Sequence, residues 1–295
     1  MGLRSLGRFF MLERPRPMAN TPRRLSSPAA LQRAGGEELG SLAALLDTAK
    51  PGESVHSARR RIKRLRSLLR LIRAPLGDDA FHRLNGSLRQ AAVSLAGSRQ
   101  VEALLTAARH LEPASAKPAY WRPLAEAHRQ AHEAGSAPLT GLTAARASIA
   151  AAMQDLAQLS LTDDDDGTAS LALVATYGKA RKRLRRALAS GAATELHEAR
   201  KFVIHHLHHR SILALGTKKQ AARLEALRQA LGDLNDLDEL AQLCKTSPTR
   251  PPARAMARLQ KARGRLLEEV TAQAGRLFRH GPRAYGRRIG LDPGT

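Results

Sequence analysis

One hexapeptide occurs twice in this chain. Val55–His56–Ser57–Ala58–Arg59–Arg60 and Leu196–His197–Glu198–Ala199–Arg200–Lys201 share the order apolar, His, any residue, Ala, Arg, basic. An imidazole with an ordinary pKa of about 6.5 is a conditional cation. Beside permanent guanidinium and ammonium groups it makes an anion-holding set that tightens as pH falls. The first copy opens the run from Val55 to Arg73, which contains no acid. At about 100° per residue, Val55, Ala58, Ile62, Leu65, Leu69 and Ile72 form an apolar seam. His56, Arg59, Lys63, Arg66, Arg70 and Arg73 run beside it, and Arg60 and Arg64 widen that second stripe. Like charges at i, i+3 and i+4 repel by roughly a few tenths of a kcal/mol per pair. With no acid on the helix to pair them, a bound anion is the expected relief.

The second half offers a related set. Lys179, Lys182, Arg183 and Arg186 share one helical face, flanked by Arg181 and Arg185, with Tyr177 one turn earlier. His197, Arg200, Lys201, His205 and His208 fall on a similar face of the following segment. The two halves can therefore line a common groove. A repeating phosphate chain suits it, because each Arg can bridge two phosphate oxygens and each Lys supplies a mobile point charge. The run His205–His206–Leu207–His208–His209 contains an i, i+4 pair, but no carboxylate or thiolate stands at ligand spacing and the surroundings are cationic. No metal site and no cofactor are expected. His206 follows Val203 on the apolar seam and is expected in the core, satisfied by a hydrogen bond.

These groups need long helices to position them. Ala, Leu and Arg dominate, β-branched runs are scarce, and apolar residues recur at helical spacing beyond residue 29, so the expected class is all-α. Breaks at Lys50–Pro51–Gly52, Ala74 to Gly77, Pro113 to Pro118, Gly135 to Pro138, Thr162 to Gly167, Gly191, Gly216–Thr217 and Ser247 to Pro252 delimit about eight helices. The long closing helices are expected over about 138–160 and 252–279. The expected architecture is two four-helix bundles related by an internal pseudo-twofold: a first half over about 29–161, an acidic linker over 162–167 that holds Asp163 to Asp166, and a second half over about 168–290. Residues 1–28, basic and nearly acid-free, are expected to be a disordered tail.

Composition sets the partner class. The 295 residues carry 49 Lys and Arg against 26 Asp and Glu, a formal net charge of +23, which calls for an anionic partner. Aromatics make up only 3% of residues, so base stacking is not expected to drive binding. A single cysteine, Cys244, excludes an internal disulfide and fits a reducing compartment. No membrane-spanning segment is expected.

Three stretches resemble the CHAD proteins, the conserved-histidine α-helical domain: Glu53 to Arg70, Leu196 to Lys201, and Leu231–Gly232–Asp233–Leu234–Asn235–Asp236–Leu237. The ending Arg276 to Arg288 is similar to the family's closing segment, so the resemblance spans roughly residues 37–288. It implies paired four-helix bundles that bind inorganic polyphosphate along a basic groove, without catalysis. It also implies a cytoplasmic protein associated with polyphosphate granules. The binding residues it implies are His56, Arg59, Arg60, Lys63, Arg64 and Arg66 in the first half. In the second they are His197, Arg200 and Lys201, with Tyr177, Lys179, Arg181, Lys182 and Arg183. Arg70, Arg186, His205 and His208 join them from the residue pattern. Gln100 and Ile204 depart from the family pattern, and Ile204 predicts a weaker grip in the second half. Two other readings remain open. One is a helical protein that binds nucleic acid non-specifically, as a +23 chain does at low salt. The other is a metal-dependent phosphohydrolase, for which the acids would have to converge on the phosphate site.

Overall fold

The computed structural model describes residues 27–48, 55–95, 97–112, 120–134, 138–164 and 167–290, and among these residues the chain forms twelve helices and no strand. The basic tail lies outside the described residues as far as position 26, as do the breaks around Pro51, between Pro113 and Pro118, and at Gly135. Described structure begins where Ser27 Oγ accepts the Ala30 amide at 3.2 Å and Pro28 takes the first helical position, a start signal for α1 (Pro28–Thr48).

Helix α2 (Val55–Leu71) passes through the single turn α3 (Arg73–Leu76) to Gly77, whose φ of 75° ends the run. Asp78 and Asp79 then occupy the first turn of α4 (Asp78–Ser94), complementing its dipole. Next come α5 (Gly97–Leu111), α6 (Trp121–Ala134) and α7 (Pro138–Ala157). The second half contains α8 (Thr168–Ser190), α9 (Ala193–Ile212), α10 (Lys218–Thr246), α11 (Ala253–Leu277) and α12 (Pro282–Arg288). A capping box between Thr217 and Gln220 starts α10.

Helices α1, α2, α4 and α7 surround one core, built on Leu42, Ile62, Leu84 and Ile149. Helices α8, α9, α10 and α11 surround another, built on Leu173, Val203, Leu227 and Val270. The paired-bundle expectation holds, but the tally of about eight helices falls short. The added hairpin, α5 with α6, does not pack on its own half: it covers α10 and α11. Those helices have 29 and 25 residues, about 43 and 37 Å at 1.5 Å per residue, and outrun α9 with its 20. Their overhang would expose Leu237, Leu240 and Leu259, which the hairpin buries together with the fully buried Trp121. Glu112 fastens the hairpin by accepting the amides of Tyr120, Trp121 and Arg122 at the start of α6.

The acidic run is partly engaged. Asp163 accepts from Ser27 and Arg33, and Thr162 O accepts the Ala29 amide, which ties the end of the first half to the start of α1; Asp165 and Asp166 lie outside the described residues. Among the described residues, no helix is long and apolar enough to cross a membrane.

Candidate anion-binding site

The two hexapeptide helices, α2 and α9, pack directly on each other. His56 and His197 are 141 positions apart, and the same offset pairs Arg59 with Arg200, Arg64 with His205, Ser67 with His208, and Arg70 with Ser211. Ser67 meets His208 at 2.9 Å and His205 at 2.8 Å, while Arg64 reaches Ser211 at 3.1 Å. Ascending α2 therefore means descending α9, and the pseudo-twofold passes beside Ser67 and His208. Each hexapeptide histidine lies eleven residues, about 16 Å, from that crossing in opposite directions. The arrangement favours an elongated ligand over a compact one.

The crossing is made of histidines. The Ser67 hydroxyl has one proton, which goes to the Lys63 carbonyl at 2.8 Å because a carbonyl can only accept. Both His205 and His208 must then donate from Nδ1 to the Ser67 oxygen. His209, fully buried, donates Nε2–H to the Ser67 carbonyl at 2.8 Å, and its Nδ1 is buried with no hydrogen-bond partner. Burial, with Arg70 and the neighbouring histidines, pushes His205 down to about 2. Burial and then Arg64 push His208 down to about 3, and burial pushes His209 down to about 4. These rings are neutral at physiological pH. His205 and His208, expected among the anion ligands, instead join the halves and bring no charge.

His206 is buried as expected, but ring contacts rather than a hydrogen bond at Nδ1 hold it: Tyr177 and Tyr285 meet it edge-on at 5.4 and 5.5 Å. Tyr177 is likewise core, stacked on Tyr285 at 3.9 Å and donating its hydroxyl to His280 O. Its expected place at the ligand is not where the fold puts it.

The contact with α9 at Ser67 parts the basic stripe of α2 into two edges. On the α4 side, Arg59 donates to the carbonyls of Ala92 and Leu95 at the end of α4, and Arg66 Nε donates to Asn85 Oδ1 at 2.9 Å. Arg70 donates to the Arg66 carbonyl and lies 5.7 Å from the centre of the Phe81 ring. Lys63 and the exposed His56 share this side by helical spacing. On the α1 side, Arg64 approaches Glu38, which pairs with Arg61 at 3.7 Å, and Arg60 is exposed. Burial lowers the pKa of Arg59, Arg64, Arg66 and Arg70; Arg89 contributes at Arg66, and Arg66 and Arg73 contribute at Arg70, which falls to about 10. Each remains charged at neutral pH. Among the described residues, neither Arg66 nor Arg70 has a carboxylate within ion-pair distance. Partly desolvated cations held apart from acids are poised to take an anion. Arg73 pairs with Asp78 and stands apart from the edge.

The arginines of the two hexapeptides have architectural work. Arg200 lies over Gly232, where a Cβ would stand 3.1 Å from its guanidinium, and it draws down the carboxyls of Asp233 and Asp236, which burial raises. As Arg59 closes α4, so Arg200 braces α10. Replacing Arg59 with Ala strips the last carbonyls of α4 of their donor, and a loss of about 1–2 kcal/mol is expected in chemical denaturation.

In the second half, Ile204, Leu207 and Ser211 stand where α2 has Lys63, Arg66 and Arg70, so α9 has no matching cationic edge. The exposed His197 accompanies Asn235 through Nδ1 at 2.8 Å, and Asn235 donates onward to Glu239. Lys201 is held by Glu198, while Arg186 and, more distantly, Arg183 face Glu195. Lys179 and Lys182 are exposed, and Arg181 donates to Phe278 O. Helix α8 thus contributes its charge near the start of α9, at the end of the crossing farthest from His56. Sequence spacing did not single out Asn85 and Arg89, which are set one helical turn apart on α4 and help to shape the α2 edge.

The family model for the CHAD domain matches residues 29–245. Among solved structures, PptA from Streptomyces chartreusis is similar in fold, with a TM-score of 0.57 and 21% identity over 85% of this chain and 96% of that chain. A comparison with the curated proteins finds no match.

Proposed function

This chain belongs to the CHAD domain family, and from that membership and the α2 edge we propose that it binds inorganic polyphosphate without acting on it chemically. The observation that carries the reading is the set Lys63, Arg66 and Arg70 on an acid-free helix, with Arg66 and Arg70 partly desolvated and out of reach of any carboxylate among the described residues. Non-bridging oxygens of successive phosphates would accept from the guanidinium forks of Arg66 and Arg70 and from the Lys63 ammonium. His56 would extend the line at one end, with Arg60 and Arg64 on the opposite edge of α2. Lys201, His197, Lys179, Lys182, Arg183 and Arg186 would extend it past the crossing. Helix α2 has no carboxylate to orient water or hold a metal against a phosphoanhydride, which supports a holding role over hydrolysis. Association with polyphosphate granules in the cytoplasm follows from the same ligand.

The experiment is a competition. Long-chain polyphosphate is expected to displace labelled RNA at matched phosphate concentration and about 0.15 M salt. RNA that stays bound under those conditions would replace this ligand with nucleic acid. Log affinity for polyphosphate should also fall steeply against log salt, as multi-phosphate contacts require, and a flat response contradicts the reading.

A further inference from the structure

The stretch between Glu239 and Glu268 carries seven Lys and Arg and no acid, a longer acid-free run than the one around α2. Most of it forms the first half of α11 (Ala253–Leu277). At about 100° per residue, Arg254, Arg258, Lys261 and Arg265 fall on one narrow face of that helix, away from the buried Ala255, Leu259 and Val270. All four cations are exposed, and among the described residues none has a carboxylate in ion-pair contact. Arg263, on the packed side, shows the contrast: it pairs with Asp238 at 2.7 Å and donates to Gly191 O at 2.6 Å.

This stripe works against the helix that carries it. Arg254 stands in a first turn that has no acid, where the helix dipole disfavours a cation. The four side chains follow one another at i, i+4, i+7 and i+11 and repel. Beside them the exposed Gly264 has nothing within 4 Å of where a Cβ would stand, so no contact inside the chain asks for glycine at a position where alanine would favour the helix. The stripe is also separate from the α2 edge. Helix α11 packs on α10, α8 and α5, whereas α2 packs on α1, α4, α8 and α9. The CHAD match ends at residue 245, ahead of α11. The shapes differ as well: the α2 edge runs beside the crossing with α9, but the outer face of α11 is a convex ridge, so the partner must supply the concavity.

We propose that the outer face of α11 docks the backbone of duplex nucleic acid without reading its sequence. The major groove, about 12 Å wide, admits an α-helix and is walled by phosphates on both sides. Arg254 to Arg265 spans about 16 Å, with a cation at nearly every turn, and Ala257 and Gly264 leave the helix backbone open to close approach. An acidic polypeptide offers the same sign of charge but no groove of this width. The inference uses other residues and another ligand than the polyphosphate reading and does not rest on it. Because every contact is exposed, the attachment is loose and salt-sensitive: with about four phosphate contacts, raising salt from about 0.05 to 0.15 M weakens it roughly fiftyfold.

The test is fluorescence anisotropy of the full chain with a labelled mixed-sequence duplex of about 20 base pairs, roughly two turns, at about 0.05 M salt. Wild type is compared with Arg258→Ala/Lys261→Ala/Arg265→Ala and with Lys218→Ala/Lys219→Ala/Arg223→Ala, which removes the same charge from exposed positions on α10. Alanine at these exposed helix sites should leave folding intact, which circular dichroism checks. The α11 variant is expected to lose duplex affinity at least tenfold and to lower the slope of log affinity against log salt by about 2 to 3, while the α10 variant stays within about twofold of wild type. Long-chain polyphosphate affinity at about 0.15 M salt should be retained in the α11 variant. Equal losses in the two variants would reduce the effect to net charge and overturn the proposal, as would unchanged duplex affinity in the α11 variant or no duplex binding by wild type. Polyglutamate that displaces the duplex as readily as unlabelled duplex, at matched charge, would give the face to acidic polypeptides instead. Failure of wild type to bind polyphosphate counts against the proposed function alone and leaves the duplex result standing.

Discussion

Replacing Lys63, Arg66 and Arg70 together with alanine is expected to weaken long-chain polyphosphate binding on the order of a thousandfold, since each charge-assisted contact contributes about 1.5 kcal/mol or more. The fold should hold, because the loss of the Arg66–Asn85 hydrogen bond and the Arg70–Phe81 contact is offset by relief of like-charge repulsion. Lys63 and Arg66 are three residues apart and Arg66 and Arg70 four, so the substitutions remove repulsion along one helix and replace poor neighbours with the best helix former. Helicity by circular dichroism should hold, and the urea midpoint should stay close to that of the wild type. A binding loss accompanied by unfolding would make these residues structural instead. The salt response provides a second readout: removing three cations should reduce the slope of log affinity against log salt by roughly 2, using 0.7 to 0.9 per phosphate contact as a guide. Affinity within a fewfold of wild type would remove the α2 edge from the site.

Acid should unfold the protein well before most of its carboxylates are protonated. In the unfolded chain His205, His206, His208 and His209 titrate near about 6.5. In the fold His205 falls to about 2, His208 to about 3 and His209 to about 4, and burial with Arg210 lowers His206 well below its ordinary value. Below about pH 6.5 the unfolded chain therefore binds more protons than the folded one, and stability falls as pH falls. At pH 5 His205, His208 and His209 each forfeit about 2 kcal/mol at 1.36 per unit, so the three forfeit on the order of 6, comparable to the whole stability of a marginal domain, and His206 acts in the same direction. The cause is geometric. Arg66 and Arg70 face His205, Lys63 and Arg64 face His208, and the free nitrogen of His209 has no acceptor. Burial raises the carboxyls of Glu38, Asp233 and Asp236, which work in the opposite direction, so the histidine share is isolated by substitution. Urea unfolding at pH 7 and pH 5 should differ by several kcal/mol in wild type and by clearly less in His205→Gln/His208→Gln. Equal stability at the two pH values would contradict a neutral histidine crossing.

The same crossing shows where reading from sequence stops. The residue pattern spoke against a metal at the i, i+4 pair of His205 and His209 and made His205 and His208 anion ligands, and neither reading specifies Ser67. That serine is two residues off the apolar seam and looks like an ordinary helix-surface position. It is fully buried because α9 lies on it, and its one hydroxyl then determines which nitrogen of each imidazole carries the proton. Tyr177 is a similar case. Its spacing placed it one turn before a basic cluster, whereas Tyr285, more than a hundred positions later, draws its ring into a stack. Arg59 and Arg200 had the charge of ligands, and the carbonyls at the end of α4 and the bare backbone of Gly232 show that each braces a neighbouring helix.

Properties carried within one helix were legible from the residues alone. The 3.6-residue period of Val55 to Arg73, the absence of acid beside it and the repeated hexapeptide were enough for the all-α class, the paired halves and a cationic edge, because each depends only on positions within a few turns. The tertiary structure decided which cations share a surface, which histidines stay uncharged, and on which half the hairpin of α5 and α6 rests. Those outcomes depend on burial between segments far apart in the chain. The overhang of α10 and α11 must be covered by whatever apolar surface can reach it, and α9 must cross α2 where a small side chain lets the helices close. Charge on a helix is set by its residues, but exposure and protonation are set by the helices packed against it.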